Sequence, residues 1–200
     1  MMDVVLVDAG GANIGSVYYA LERLGVSARL SADADTIAAA DRVILPGVGV
    51  AAVGMRRLHE LGLVEVVRNL SQPLLGICLG MQLLFESSDE GDVECLGLLP
   101  GRVTKMQAHP GSRVPHIGWN RLQPLRDDPL LTGMEVDASA YFVHSYAAPV
   151  TVDTLATTTH GVEFAAVVRR GRCHGAQFHP ERSGAIGARL LENFLTGPRL

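Results

Sequence analysis

Pro73-Leu74-Leu75-Gly76-Ile77-Cys78-Leu79-Gly80 carries an apolar run into a cysteine held between two glycines, and a helix-like stretch follows. A strand that turns at once into a helix needs residues without side chains on both sides of the turn, because Cβ atoms there would collide with the two elements. This is the setting of a nucleophile elbow. It lifts the thiol above the C-terminal edge of a sheet, where open α/β folds bind ligands. The helix after the turn points free N–H groups at the sulfur and favours the thiolate, and the Leu79 N–H is placed to donate to an oxyanion. The competing reading is a small buried hydrophobe with two packing glycines. Cys95 and Cys173 have no such frame and are read that way.

On the N-terminal side of this turn, short apolar runs alternate with helical periodicity. Val4–Val7, Ser27–Leu30 and Arg42–Leu45 read as strands, the last broken by Pro46-Gly47, and Leu74–Ile77 as a fourth. Ser16–Leu24 and Ala51–Leu70 read as helical, the second parted near Gly62, and Met81–Glu86 as a helix after the cysteine. Apolar strands alternating with helices imply a parallel sheet covered on both faces. Leu96–Leu125 is rich in Gly and Pro and suggests hairpins or an edge excursion. Strand-like runs return at Ala140–Val143, Thr154–Thr157, Val162–Arg169 and Cys173–Gln177, and Gly184–Phe194 closes as a helix with Ser183 as its N-cap. The expectation is one α/β domain over residues 1–200, with a mixed, mostly parallel sheet and helices on both faces.

A thiol nucleophile needs an imidazole to take its proton and return it to the leaving amine. His179 directly follows the strand Cys173–Gln177, which places it on the same sheet edge as Cys78, and Glu181 stands two residues on, able to hold the ring in one tautomer. Pro180 stiffens the turn between them. His59 and His160 read as exposed polar residues, and His109, His116 and His174 as hydrogen-bonded structural ones. Leu45-Pro46-Gly47-Val48-Gly49 closes the third strand, and its glycines permit a peptide whose N–H faces the thiol, completing an oxyanion hole with Leu79; the bland reading is a turn that binds nothing. Asp8-Ala9-Gly10-Gly11-Ala12-Asn13 lacks the Gly-x-Gly-x-x-Gly spacing, so no nucleotide cofactor is expected.

Composition bounds the remaining classes. The 200 residues are 48% hydrophobic and 19% charged, with net charge −4, enough apolar residue to bury a core and no Lys/Arg cluster suited to nucleic acid. The longest apolar runs, such as Val4–Val7 and Phe164–Val168, are too short to span a bilayer, and Met1-Met2-Asp3 has no basic segment of the kind that opens a signal peptide. Three cysteines without ligand spacing suggest neither a disulfide framework nor a metal site, and a reduced, cytoplasmic setting is expected.

With these residues assembled, the chain resembles the class I, or triad, glutamine amidotransferases over nearly its whole length. Gly76–Gly80 and His179-Pro180-Glu181 carry that resemblance. More narrowly it is similar to the glutaminase-subunit family of the imidazole glycerol phosphate synthases of histidine biosynthesis. That likeness rests on Leu45–Gly49, Gly76–Ser88, Val114–Asn120, Tyr141–Tyr146 and Gln177–Gly184. The resemblance implies that Cys78 attacks the glutamine side-chain amide to give a thioester, that His179 serves the departing ammonia and then the hydrolytic water, and that Glu181 orients His179. It implies an oxyanion hole at Val48, Gly49 and Leu79, and glutamine contacts from Gly47, Gln82, Glu90, His144, Ser145 and Tyr146. It implies no cofactor and no metal. The partner implied is a (β/α)8-barrel cyclase subunit that uses the ammonia to make imidazole glycerol phosphate and an aminoimidazole carboxamide ribonucleotide, with Asn13 and Arg182 at the interface or gate. A peptide in Gly47–Gly49 that flips when the partner binds its substrate is the implied switch. The chain departs from the family's usual residues at Ala9, Ala12, Val50-Ala51 and Arg182, all near that interface. Two alternatives remain: a triad glutaminase serving anthranilate, aminodeoxychorismate or pyridoxal phosphate synthesis, and a catalytically dead regulatory homologue.

Overall fold

Every residue of β1 (Val4–Val7) is buried. Val4 and Leu6 pack into one hydrophobic core, Val5 and Val7 into a second, because successive side chains of a strand point to opposite faces. The uninterrupted apolar runs are therefore strands of a sheet covered on both sides. The computed structural model describes residues 2–10, 14–135 and 138–198.

After β1 come α1 (Ile14–Arg23), β2 (Ala28–Ser31), α2 (Ala34–Ala39), β3 (Arg42–Gly47), α3 (Ala51–Glu60), α4 (Leu63–Arg68) and β4 (Leu74–Cys78). A single turn, α5 (Leu79–Gln82), leads to β5 (Phe85–Ser88), β6 (Val93–Glu94), β7 (Leu99–Lys105), β8 (His116–Arg121) and β9 (Gln123–Pro124). Then follow β10 (Ser139–His144), β11 (Tyr146–Ala147), β12 (Thr154–His160), β13 (Val162–Arg170), β14 (Cys173–Ala176) and α6 (Gly184–Thr196). The main sheet runs β2-β1-β3-β4-β14-β13-β12-β9, the first five strands mutually parallel and the rest antiparallel. A four-stranded sheet, β11-β7-β5-β6, and the antiparallel ribbon β10-β8 flank it. The mixed sheet with helices on both faces is as the sequence predicts.

Four details differ from that expectation. Met81–Glu86 is not a helix: α5 stops at Gln82 and Phe85 begins a strand. The carbonyls of Leu83, Leu84 and Phe85, which a continuing helix would need, accept instead from the N–H groups of Leu96, of Leu98 and Leu99, and of Gly97. β3 runs on through Pro46 to Gly47 along β4, because its pairing with β1 ends at Ile44 and the donor that proline lacks leaves no gap on that side. Helix α2 carries no long apolar period and is fixed by its cap, Asp33, whose carboxylate accepts from the Thr36 N–H at 2.8 Å. Ser183 sits at the N-terminus of α6 but makes no capping bond. Its Oγ accepts from the Tyr141 N–H at 2.9 Å and donates to the His179 carbonyl at 2.7 Å, tying β10 to the turn after β14.

Candidate active site

Strand β4 delivers Cys78 into a backbone conformation with φ 53 and ψ −110, a region that residues with side chains rarely adopt. The surrounding glycines make the turn possible. A Cβ on Gly76 would lie 2.6 Å from the Gly80 carbonyl oxygen, and one on Gly80 would lie 1.8 Å from the Leu45 carbonyl oxygen. Helix α5 thus packs backbone against backbone on β3 and β4, and Cys78 is raised at the C-terminal sheet edge. Leu79, as first residue of α5, keeps its N–H outside the intrahelical ladder. With α5 only one turn long, it offers the sulfur a few local N–H groups and not a long helix dipole.

Parallel pairing of β14 with β4 aligns Ala176 with Ile77, so the segment after each strand emerges on the same edge. There His179 Nδ1 lies 2.7 Å from Glu181 Oε1, with side chains only 4% and 1% exposed. Burial opposes charge on the ring, but hydrogen bonding to the Cys78 thiol and the Glu181 carboxylate, with the charges of both, outweighs it and pushes the His179 pKa up to about 10. Nδ1 being taken by Glu181, Nε2 is the nitrogen left for Cys78; it is buried and closes no hydrogen bond of normal length. The structure brings Cys78, His179 and Glu181 together at this edge.

A cavity of about 450 Å³ opens over the thiol, lined by Val48, Gly49, Cys78, Leu79, Gln82, Glu90, Val143, His144, Ser145, Tyr146, His179 and Arg182. It therefore gathers the residues expected for the oxyanion hole and all but one of those expected to hold glutamine. The exception is Gly47, which does not line it. A Cβ there would lie 2.9 Å from the Gly80 N, so this glycine is a spacer between β3 and the elbow. Gly49, with φ 104, faces open space. Glu90 Oε2 accepts from the Ala51 N–H at 2.8 Å and caps α3 in place of Val50, which has no capping side chain. Burial raises the Glu90 pKa, partly offset by that bond. Arg182 is exposed at the rim, its guanidinium 5.3 Å over the Tyr141 ring. Asn13, together with Ala12, lies outside the described residues.

Two contributors are not evident from sequence periodicity. Gln177, wholly buried, directs Nε2 at the Cys78 sulfur across 3.9 Å, and its Oε1 accepts from Gln82 Nε2 at 2.9 Å. The Val143 carbonyl lies 4.0 Å from the same sulfur. A glutamine at the end of a strand, two residues before the candidate base, is the signal that was available for the first; the second depends on how β10 is placed. Of the other cysteines, Cys95 is buried and its thiol pushed up to about 11 by burial, and Cys173 is likewise raised, as structural thiols should be. His59 is exposed as expected, whereas His160 is half-buried and stacks on His116.

Burial holds His116 at about 3 and His144 and His174 at about 4, all neutral at neutral pH. The unfolded chain protonates these rings near 6.5, so below that pH it binds protons the native state does not, and stability falls as pH drops from 6.5 toward 4. Urea unfolding midpoints over that range are expected to fall steeply. His174→Gln should reduce the slope by about one proton, or about 1.4 kcal/mol per pH unit; an unchanged slope would remove His174 from this role.

Comparison with known proteins points to one family. The family model described as "Glutamine amidotransferase class-I" matches residues 5–197. The chain is 65% identical over 195 residues to "Imidazole glycerol phosphate synthase subunit HisH" of Xanthomonas axonopodis pv. citri (strain 306), covering 98% of both chains. It is 60% identical, with the same coverage, to the protein of that name from Xylella fastidiosa (strain Temecula1). Among solved structures it is similar in fold to a "glutamine amidotransferase", with TM-score 0.73 and 22% identity over 96% of each chain.

Proposed function

We propose that this chain, which belongs to the class-I glutamine amidotransferase family, is the glutaminase subunit of imidazole glycerol phosphate synthase and releases ammonia from glutamine for histidine biosynthesis. The observation that carries the reading is the buried His179–Glu181 pair behind Cys78 at the floor of the cavity, in a chain 65% identical over nearly its full length to a curated subunit of that synthase.

The chemistry proposed for these residues follows from their placement. Glutamine enters the cavity with its side-chain amide over Cys78. With its raised pKa His179 already holds the proton given up by the thiol; Sγ bonds to the amide carbon, and the oxygen gains negative charge. N–H groups of Leu79 and of the Val48-Gly49 segment stabilise that oxyanion. His179 returns the proton to the amine, C–N cleavage releases ammonia, and a γ-glutamyl thioester remains. His179 then activates water, and glutamate leaves. Glu181 holds the ring with Nε2 toward the sulfur and offsets the charge it gains. Gln82, His144, Ser145 and Tyr146 form the wall that positions glutamine, and Glu90 is the carboxylate available to its amino group.

Free ammonia is largely protonated near neutral pH, as other amines are, and protonated amine is no nucleophile. Handing it on within a complex keeps it reactive. The finer proposal is that the partner is a (β/α)8-barrel cyclase using ammonia to form imidazole glycerol phosphate and an aminoimidazole carboxamide ribonucleotide, in the cytoplasm. The ribbon β8–β10 supports a docking face beside the cavity. Ile117 and Trp119 are 61% and 60% exposed and pair across the ribbon with Val143 and Tyr141. An exposed apolar face of this kind at a cavity rim suits a protein partner. Three free, buried thiols fit a reducing compartment.

The test is glutamine hydrolysis by the chain alone and with the cyclase subunit and its nucleotide. Turnover should rise strongly in the complex; equal rates would sink the proposed gating at Gly47–Gly49, and none in either would sink the glutaminase reading. Glu181→Gln is expected to lower kcat by roughly 10²–10⁴-fold with KM little changed, because the ring loses its fixed tautomer and its counter-charge. Wild-type kcat in that variant would remove Glu181 from the triad.

A further inference from the structure

The ribbon β8–β10 has two faces. Ile117, Trp119, Tyr141 and Val143 alternate outward, and His116, Asn120, Phe142 and His144 lie on the reverse. On that reverse face a chain of polar groups runs toward the nucleophile. Asn120 Nδ2 is 3.3 Å from His116 Nε2, His116 Nδ1 is 3.2 Å from His144 Nε2, and His144 Nδ1 is 2.8 Å from the Tyr146 carbonyl. The same carbonyl accepts from Gln82 Nε2 at 2.8 Å, and Gln82 continues to Gln177 and so to the Cys78 sulfur.

Every proton in this chain is assigned by its ends. A carbonyl only accepts, so His144 carries its hydrogen on Nδ1. The ring is buried and neutral, so its Nε2 is bare and must accept from His116 Nδ1–H. His116 is then bare at Nε2, the position the Asn120 amide reaches. The Asn120 amide is oriented independently, since its Nδ2 donates to the Thr159 carbonyl at 2.9 Å and its Oδ1 accepts from the Arg121 N–H at 2.9 Å. His116 cannot turn away. Its ring stacks between Phe142, at 4.9 Å, and His160, at 4.0 Å, and is 3% exposed. Two adjacent rings in the Nδ1–H tautomer, locked by stacking and by an oriented amide, exceed what core packing alone requires.

We propose that His116 is a positioning residue of the glutamine site: through its Nδ1–H it fixes the tautomer of His144, and through His144 the Tyr146 carbonyl and the Gln82 amide that wall the cavity over Cys78. This rests on the glutaminase reading above and adds a residue that does not itself line the cavity. His116 also stands on the strand whose opposite face presents Ile117 and Trp119, so a partner seated there would bear on the relay from behind.

Two substitutions separate positioning from packing. An asparagine amide nitrogen falls where Nδ1 stood, so His116→Asn keeps the donor and loses the stack. His116→Phe keeps the stack and loses the donor. In the complex with the cyclase subunit, His116→Phe is expected to raise the KM for glutamine about 10-fold or more, with kcat changed less than about threefold, because a buried acceptor on His144 is left unpaired and the binding wall shifts in ground and transition states alike. His116→Asn should stay within about threefold of wild type in KM. The reverse order, phenylalanine near normal and asparagine impaired, overturns the proposal in favour of simple packing. A second measurement needs neither variant nor activity. In the ¹⁵N-histidine NMR spectrum of the wild-type chain, His116 and His144 should both show protonated Nδ1 and bare Nε2. An Nε2–H tautomer at either ring overturns the relay even if glutamine is turned over. Conversely, a wild-type complex that leaves glutamine intact would refute the glutaminase reading, while the spectrum still decides the relay.

Discussion

Cys78→Ala is expected to lower glutamine hydrolysis by the complex at least about 10⁴-fold in kcat/KM, the scale on which removing a member of a nucleophile–base pair acts. The loss should be confined to chemistry. Alanine at φ 53 is no more strained than cysteine, the thiol's contacts to Gln177 and the Val143 carbonyl are distant, and the removed volume borders the cavity. The melting temperature should accordingly move by only a few degrees at most. Ammonium supplied in the medium bypasses the glutaminase step, so the ammonia-dependent reaction of the complex should survive. Glutamine turnover persisting in Cys78→Ala would take the cysteine out of the mechanism. Loss of the ammonium-driven reaction as well would show that the substitution had disturbed the assembly.

Gly80→Ala is expected to have the largest effect on the fold. Its Cβ would lie 1.8 Å from the Leu45 carbonyl oxygen, and that backbone belongs to a buried strand paired with β4 at Leu45↔Gly76. Neither side can yield: β3 is held in the sheet, and α5 already lies so close to β4 that even a Cβ on Gly76 would come within 2.6 Å of the Gly80 carbonyl oxygen. The cost should exceed about 4 kcal/mol, in the range reserved for backbone collisions and broken cores. Urea unfolding should show the loss, or the chain should fail to accumulate as folded protein. A contrast is Gly49→Ala: nothing lies within 4 Å of its Cβ, so only the φ of 104 opposes it and the cost is limited to local strain. If Gly80→Ala proved as stable as Gly49→Ala, the close docking of α5 on β3 would be wrong.

Much of the site is written along the chain. Cys78 between its glycines and His179 with Glu181 at the end of another strand are local patterns, because a tight strand-to-turn junction needs particular residues in immediate succession. The parallel part of the sheet is legible for a similar reason: strands buried on both faces have no polar alternation, and Val4–Val7 shows none. Local pattern fails where distant groups take over the hydrogen bonds. Met81–Glu86 has helical periodicity, but the N–H groups of Leu96–Leu99 claim its carbonyls and make Phe85–Ser88 a strand. Gly47 shows the same limit, because the clearance it provides is evident only once Gly80 is seen beside it.

The sequence by itself determined the α/β sheet, the elbow at Cys78 and the pairing of His179 with Glu181 at the neighbouring strand end, since each follows from residue types within a few positions of one another. Only the tertiary structure decided what surrounds the thiol: that Gln177 faces it, that Glu90 caps α3, and that His116 reaches Tyr146 through His144. Those contacts join residues from Gln82 to Gln177, and Asn120 to Thr159, across strand registers that depend on the balance of the whole core. No segment carries that balance alone. A buried histidine therefore reads from sequence as merely structural, and becomes a positioning group only when the acceptor at the far end of its hydrogen-bond chain is known.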